Sequence, residues 1–519
     1  MTLAIMRINV KANLFLLLLI QIISYGCTTL PPAPPQPVVN SLTPAESGVI
    51  TEISKHITGD LKPYESAYLL LSRNDDALNW RLALADHATT SIDAQYFIWQ
   101  NDATGNLLFD RLLKAADRGV RVRLLVDDIW LAANDEVIAA IDDHPNFAIK
   151  IFNPTYTRHA VAGAFEFLAY FQELNRRMHN KLFIVDNRMA IVGGRNIGNP
   201  YFGLSEKYNF RDLDVLTTGP VVEEISSAFD EYWNAELAYP GRLLSDKYSY
   251  EDLDLLRQEI KTYFEENAEL LANYPLAPRD WSKEMHQLTR RIHSGEGHFL
   301  QDDPIVVHGE EVKLIDMLDT LAEPSHEELM VVSPYLIPVG DMLQNMAALN
   351  SEGVDVKILT ASMGSNNHTA AHSHYKKYRR RILETGAELY EFRHDPSQDM
   401  RDEADVPPVE SDFISLHVKA MVGDRQRCFI GSLNLDPRAL VINTENGLYI
   451  ESPELAKQLA AMFDAMMAPE NAWRVYLDKE EQTLRWQSSK GTVDMQPARS
   501  FGQRISDFFF RLLPIESQL

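Results

Sequence analysis

The chain has 519 residues, 45% of them hydrophobic and 24% charged, a balance that excludes a disordered protein and at this length points to two domains with their own cores. Its 74 acidic and 49 basic side chains leave a formal net charge of −25, a field that repels polyanions and argues against general nucleic-acid binding. Two cysteines, Cys27 and Cys428, can build neither a disulfide framework nor a cysteine metal site, and Cys428 in its apolar run reads as a small buried thiol.

From the N-terminus, Arg7 and Lys11 precede an apolar run at 14–20 that ends in Ser24-Tyr25-Gly26-Cys27. This is the layout of an export signal, and it resembles bacterial lipoprotein signals, in which Cys27 would be lipidated and become the mature N-terminus. The run is short for a spanning helix, so residues 1–27 are expected to be a signal peptide. Residues 28–45 follow with Pro31, Pro32, Pro34, Pro35 and Pro37, whose missing backbone donors predict an extended tether holding the body off a bilayer. The expected location is the bacterial cell envelope, as a membrane-anchored lipoprotein facing the periplasm.

Residues 46–250 form the first predicted domain. A strand is expected over 91–99, a helix through Leu107, Leu108, Leu112, Leu113 and Ala116 that stops at Gly119, and strands over 120–126 and 149–152. The same order returns in the second domain, 311–480, with a strand over 329–336, a helix over 342–349 and a strand over 353–359. Strand, helix, strand predicts a parallel-sheet unit, and its recurrence predicts an internal duplication. Residues 251–310 are expected to be a charged, irregular connector without counterpart, and 481–519 a tail outside the repeat. In that tail Phe501, Ile505, Phe508, Phe509 and Leu512 share one helical face, which is expected to pack onto the body and not to dip into a membrane.

The chemistry lies in a motif that occurs twice. Of fifteen histidines only His179 and His417 fit H-x-K-x-x-x-x-D, giving His179/Lys181/Asp186 and His417/Lys419/Asp424 at corresponding places in the two copies. Gly194 and Asn196 follow the first histidine at the offsets at which Ser432 and Asn434 follow the second. Each motif is expected to be a strand, a turn at Asp186-Asn187 or Gly423-Asp424, a returning strand and a bend bearing the asparagine. On a strand, residues two apart face the same side, so each histidine and its lysine point together. One imidazole can then attack phosphorus while the other protonates the leaving oxygen, and the lysines with Asn196 and Asn434 can hold the non-bridging oxygens. Gly194 and Ser432 are small enough to let backbone or hydroxyl approach a phosphate. A working imidazole needs a carboxylate on its other nitrogen, and Asp212 and Glu445 stand at similar distances after their own histidines. Asp186 and Asp424 sit at turns, where holding local structure is the expected job. Such chemistry requires no metal, and no cofactor is expected.

Further segments carry a family resemblance: Ser91-Ile92-Asp93-Ala94-Gln95-Tyr96-Phe97-Ile98-Trp99, Arg118-Gly119-Val120-Arg121-Val122-Arg123-Leu124-Leu125-Val126-Asp127-Asp128, Asn209-Phe210-Arg211-Asp212-Leu213-Asp214 and the stretch from Ala371-His372 to Gly386-Ala387-Glu388-Leu389-Tyr390. From about residue 66 to the C-terminus the chain resembles the phospholipase D superfamily and, within it, the bacterial cardiolipin synthase branch, specifically the cardiolipin synthase C-like proteins. The resemblance implies two α/β sandwich halves related by a pseudo-twofold axis, each with a mainly parallel sheet flanked by helices, and a site at their interface. It also implies a phosphohistidine intermediate and transfer of a phosphatidyl group, with His179 as nucleophile and His417 as general acid, the opposite assignment remaining open. The implied function is cardiolipin synthesis from phosphatidylglycerol and a phospholipid donor. Hydrolysis to phosphatidic acid is the alternative, followed by a nuclease or an idle surface lipoprotein. Acidic charge speaks against the nuclease, and intact motifs in both halves against the idle scaffold. The expected partners are phospholipids and the membrane surface reached by the N-terminal lipid anchor, with no nucleic acid and any accessory protein left open.

His368, His372 and His374 raise the question of a metal, but no acidic or cysteine partner lies nearby in sequence, and a rim helix with polar contacts is expected. The one local basic run, Lys376-Lys377-Tyr378-Arg379-Arg380-Arg381, suits a solvated face and contact with anionic head groups equally.

Overall fold

The computed structural model describes residues 33–128, 135–155, 175–245, 250–304, 313–321, 325–478, 480–513 and 515–518. The expected signal peptide with Cys27 lies outside them. The tether is fastened to the body at its C-terminal end: Val39 N donates to Asn234 Oδ1, Ser41 N to Asp230 Oδ2 and Ala45 N to the Asp186 carbonyl. Arg242 Nη2 also donates to Gln36 Oε1 at 3.1 Å, so among the described residues the expected spacer lies against the body from about Gln36 onward.

The first half supplies β1 (Glu65–Leu71), β2 (Ser91–Tyr96), β3 (Arg121–Asp127), β4 (Phe147–Phe152), β5 (Leu182–Val185), β6 (Met189–Gly193), β7 (Tyr208–Arg211), β8 (Asp214–Thr218) and β9 (Ala238–Pro240). The second supplies β10 (His293–Gln301), β11 (Glu328–Val332), β12 (Asp355–Ala361), β13 (Glu388–Phe392), β14 (Phe413–Leu416), β15 (Ala420–Gly423), β16 (Arg427–Gly431), β17 (Asn446–Glu451) and β18 (Ala472–Leu477). In the first half the pairing runs β9-β4-β3-β2-β5-β6-β8-β1. In the second it runs β10-β17-β16-β15-β11-β12-β13-β18, the same order mirrored. β1 pairs antiparallel with β10, so both halves share one continuous sheet. A hairpin, β19 (Leu484–Ser488) and β20 (Gly491–Val493), extends the far edge beyond β18.

Two expectations are corrected here. The sheet of each half is mixed, not mainly parallel: only β2-β3-β4 and β11-β12-β13 are parallel. Helical crossovers enforce parallel pairing there, whereas the motif hairpin reverses the chain in two residues and makes everything on its side antiparallel. The stretch 251–310 is also no irregular connector, since it holds helix Tyr250–Glu266 and strand β10, the counterpart of β1. Alternating Gly295 and Gly297 weakened its strand signal.

Helix Val221–Trp233 and its counterpart Pro453–Met467 lie over the same face of the shared sheet. Ile225, Phe229, Leu455, Leu459 and Phe463 join Leu182, Ile184, Met330, Val422 and Ile430 in one core drawn from both halves. Separate cores, one in the first half and two in the second, lie apart from it. This common core fixes the halves against each other, and the dry face it makes is what holds the motif strands in register.

Within each motif the aspartate closes the hairpin. Asp186 and Asn187, like Asp424 and Arg425, take positive φ of 48–56°, the paired left-handed residues of a tight hairpin turn. In the second copy the turn thus falls one residue later than expected. Asp186 accepts from the backbone amides of Thr89, Thr90 and Ser91 and from both threonine hydroxyls, while Asp424 accepts from the amides of His326, Glu327 and Glu328. Each carboxylate pins the chain entering the neighbouring strand. Five residue steps along the strand, about 16 Å, separate each from its motif lysine, so the two aspartates do not belong to the reacting centre. Asp186→Ala strands several buried donors and is expected to cost about 3–5 kcal/mol in denaturant unfolding. The more exposed Asp424 is expected to matter less, and the folded fraction of either variant should keep near-parental turnover. Loss of turnover without loss of stability would contradict this division of labour.

Candidate active site

The segment that delivers each histidine pairs in parallel with the segment that delivers the acid of the other copy. β14 runs beside β7 with Leu416 opposite Arg211, and His417 N donates to the Arg211 carbonyl at 2.8 Å. On the other side Met178 bridges Thr444 in parallel, His179 N donates to the Thr444 carbonyl at 2.9 Å and Thr444 N to the Arg177 carbonyl. The next residue along each strand is then a histidine facing an acid. His417 Nδ1 lies 2.6 Å from Asp212 Oδ2, and His179 Nδ1 lies 2.8 Å from Glu445 Oε2. Spacing along the chain pointed to the two acids but suggested that each serves its own copy; the partners are exchanged, because pairing across the pseudo-twofold axis decides proximity.

Both motif histidines and both motif lysines are buried. Lys181 Nζ donates to the His179 carbonyl, and Lys419 Nζ to the His417 carbonyl at 2.7 Å, lying 3.1 Å from the Nδ1 that faces Asp212. Gly194 and Ser432 occupy equivalent places beside the acids, and neither is free for a phosphate as expected. A side chain at Gly194 would collide with the Asp212 carboxylate, while the Ser432 hydroxyl donates to Glu445 Oε2 at 2.5 Å. Asn196 spends its carbonyl on Ile98 N and its amino group on the Tyr201 hydroxyl. Asn434 is buried with its carbonyl oxygen unpartnered, leaving that side chain uncommitted where Asn196 is engaged.

Several contributors were not singled out from sequence. Phe97 meets His179 edge-on at 5.0 Å, while Tyr201 and Phe210 flank His417 at 5.4 and 4.6 Å. Buried Arg195 donates to the Asp212 and Leu71 carbonyls, and Asp302 accepts from Glu445 N at 2.8 Å. Arg195 sits inside Gly193-Gly194-Arg195-Asn196 and could have been noticed there; Asp302 lay in the stretch taken for a connector.

Burial dominates the electrostatics. It lowers His179 well below its ordinary value and His417 to about 4, with both lysines pushing the same way. Burial also brings Lys181 down to about 7 and Lys419 to about 8 against the pull of the carboxylates. The acids diverge: burial pushes Glu445 up to about 8, whereas for Asp212 burial is outweighed by His417, Lys419 and Arg195, which hold it at about 2. Near neutrality the site thus sets an ionised Asp212 beside His417 and a Glu445 that retains its proton beside His179.

His372 and His374 turn away from any shared centre. His372 Nδ1 lies 3.1 Å from Asp507 and His374 Nδ1 3.0 Å from Glu516, while His368 caps its own helix. The acidic partners come from the C-terminal tail, far off in sequence. Among the described residues no group of three or more potential ligands forms a metal site. Of the basic run, Lys376 pairs with Asp507, Lys377 with Glu516 and buried Arg379 with Glu391, leaving Arg380 and Arg381 outermost.

A family model described as "Cardiolipin synthase, PLD-like domain" matches twice, at residues 82–233 and 317–467. The chain is similar to cardiolipin synthase C of Escherichia coli (strain K12), 33% identical over 91% of this chain and 98% of that protein. It is similar also to a cardiolipin synthase of Clostridium perfringens (strain SM101 / Type A), 25% identical over 72% of this chain and 64% of that protein. Among solved structures, phosphatidylserine synthase of Haemophilus influenzae Rd KW20 superposes with a TM-score of 0.51 at 16% identity, over 81% of this chain and 91% of that one, a likeness of fold.

The raised Glu445 makes a stability prediction. Folded protein binds this proton more tightly than an exposed glutamate with its ordinary value of 4.5, so stability is fully present below about pH 4.5 and is lost as pH rises toward about 8. Glu445→Gln should therefore melt a few °C above the parent at about pH 9 and nearly with it at about pH 5. Equal melting temperatures at both pH values would show that Glu445 carries no such burden.

Proposed function

Because the chain belongs to the PLD-like cardiolipin synthase family, matched in both halves, we propose that it is a phosphatidyltransferase that makes cardiolipin from phosphatidylglycerol and a phospholipid donor. The observation that carries this reading is the pair of exchanged histidine–carboxylate contacts, which set two imidazoles of different electrostatic character into one buried, cation-rich centre. His179, beside the acid that keeps its proton, stays neutral and offers Nε2 to phosphorus. His417 faces the ionised Asp212, which favours its charged form against the burial that lowers it, and in that form it gives its proton to the departing alcohol oxygen. A phosphorus–nitrogen bond forms as the phosphorus–oxygen bond breaks, leaving a phosphohistidine. His417, now neutral, removes the proton of the incoming glycerol hydroxyl, whose oxygen displaces His179. Lys181, Lys419 and Asn434 hold the non-bridging oxygens, and Asp212 and Glu445 keep each ring in its tautomer.

Water and a lipid alcohol compete for the same intermediate, and positioning within dry walls decides between them. Phe97, Tyr201 and Phe210 are such walls. The envelope location and a lipid anchor on Cys27 complete the proposal. No described helix is long and apolar enough to cross a membrane, so attachment would fall to the N-terminal segment or to a surface contact.

His179→Ala and His417→Ala should each bring turnover close to background, roughly 10³-fold or more below the parent, with the fold intact; a variant lacking either ring that kept most of its activity would end the shared-site reading. With phosphatidylglycerol and a phospholipid donor in mixed micelles, mass spectrometry should find a cardiolipin-like main product and little phosphatidic acid. Dominant phosphatidic acid at saturating acceptor would make the protein a hydrolase. Cys27→Ala should accumulate chain with its signal uncleaved, and recovery of the normal mature form would remove Cys27 as the anchor.

A further inference from the structure

Helix Phe501–Arg511 is packed inside out. Asp507 is its one buried side chain. It contacts His372 and Lys376 of the segment at helix Thr369–Tyr375, Gln503 Nε2 donates to the Met363 carbonyl, and His374 Nε2 donates to the Phe510 carbonyl at 3.3 Å. The opposite face stands in the open: Phe501 is 77% exposed, Ile505 44%, Phe508 53%, Phe509 62% and Leu512 62%. The expectation that this apolar face packs onto the body is therefore overturned. Surface helices ordinarily bury the apolar stripe and show the polar one. Here a buried ion cluster fixes the reverse orientation, because turning the helix over would strip Asp507 from His372 and Lys376.

We propose that this helix is an interfacial lipid-contact element, whose aromatic face enters the boundary between head groups and acyl chains of an anionic phospholipid bilayer and sets the two-histidine site against it. Charge on the exposed side is one reason. With Asp507 withdrawn inward, Arg504 and Arg511 are the charged residues left on the helix, a positive strip on a chain of net charge −25. Cations beside a wide aromatic face suit a surface that offers phosphate and acyl chain together. Continuity with the site is the other. Beyond the helix, Glu516 takes Lys377, Tyr378 and His374, and Gln518 accepts from Asn175 Nδ2 at 2.8 Å and from Arg438. Asn175 stands four residues before His179 and accepts from Arg438 Nη1 at 2.9 Å. The tail thus runs from the exposed aromatic face to the edge of the reacting centre. This inference rests on the lipid-handling reading of the site and adds how lipid reaches it.

The test labels Ile505→Cys in the full chain with an environment-sensitive nitrobenzoxadiazole dye, and takes the difference from the unsubstituted chain treated alike. With vesicles of phosphatidylglycerol and phosphatidylcholine the emission should shift to the blue and be quenched by lipids carrying a spin label at a shallow acyl position. Arg504→Glu/Arg511→Glu should weaken the quenching at least about twofold. In parallel, Phe508→Glu/Phe509→Glu should lower turnover on vesicles about tenfold while leaving turnover on monomeric short-chain lipid unchanged. No quenching in anionic vesicles overturns the proposal, as does a blue shift that needs only raised protein concentration, which would mean self-association. Insertion is read without catalysis. Quenching in a protein inactive on every lipid would therefore overturn the assigned reaction and support the helix, and full turnover on vesicles without quenching would do the opposite.

Discussion

Parallel pairing between the histidine-bearing and acid-bearing segments of opposite halves is the constraint on which the rest of the molecule depends. β14 against β7, and residues 177–178 against 444, place each imidazole beside a carboxylate that its own half does not supply. Neither half holds a complete site. The shared core beneath helices Val221–Trp233 and Pro453–Met467, and the β1-β10 junction, are what keep those two short pairings in register. Long-range packing is thereby converted into hydrogen bonds of 2.6–2.8 Å at the reacting centre.

Much of this was legible in the chain. The duplicated H-x-K-x-x-x-x-D, the equal offsets of Gly194 and Ser432, and the strand–helix–strand order all repeat visibly, because a repeat needs only self-comparison. The exchange of acids was not legible: a distance along one copy carries no information about pairing across an axis. The same holds for β10, whose glycines hid a strand that exists because β1 and β17 flank it. Helical periodicity likewise located the aromatic face of Phe501–Arg511 correctly. Periodicity says that a helix has two faces; which one meets the body depended on His372 and Lys376, more than a hundred residues away.

Burial of so much charge comes at a stability cost, and the site distributes it unevenly. Two lysines and two imidazoles crowd two carboxylates with little water, so every cation is driven toward its neutral form and one acid toward its protonated form. Asp212 escapes because Arg195, His417 and Lys419 surround it; Glu445 has one carboxylate oxygen without a hydrogen-bond partner. Two separate proton affinities at one phosphorus are what a displacement with a nucleophile and an acid requires. Tight packing of the motif hairpins by Asp186 and Asp424, well away from the centre, supplies compensating order.

The β1-β10 junction has one more consequence. Two strands that meet antiparallel across a twofold axis are the contact by which two separate copies of a half-length chain could associate, and in such a symmetric dimer every residue appears twice in identical surroundings. Any change that tuned one histidine would tune the other equally. Covalent fusion removes that restriction. A glycine can stand beside Asp212 while a serine hydroxyl stands beside Glu445, and an aspartate can differ in length from its opposite glutamate. Joining the two halves in one chain therefore gives more than proximity: it allows them to become different, and a reaction that needs one nucleophile and one acid needs them to differ.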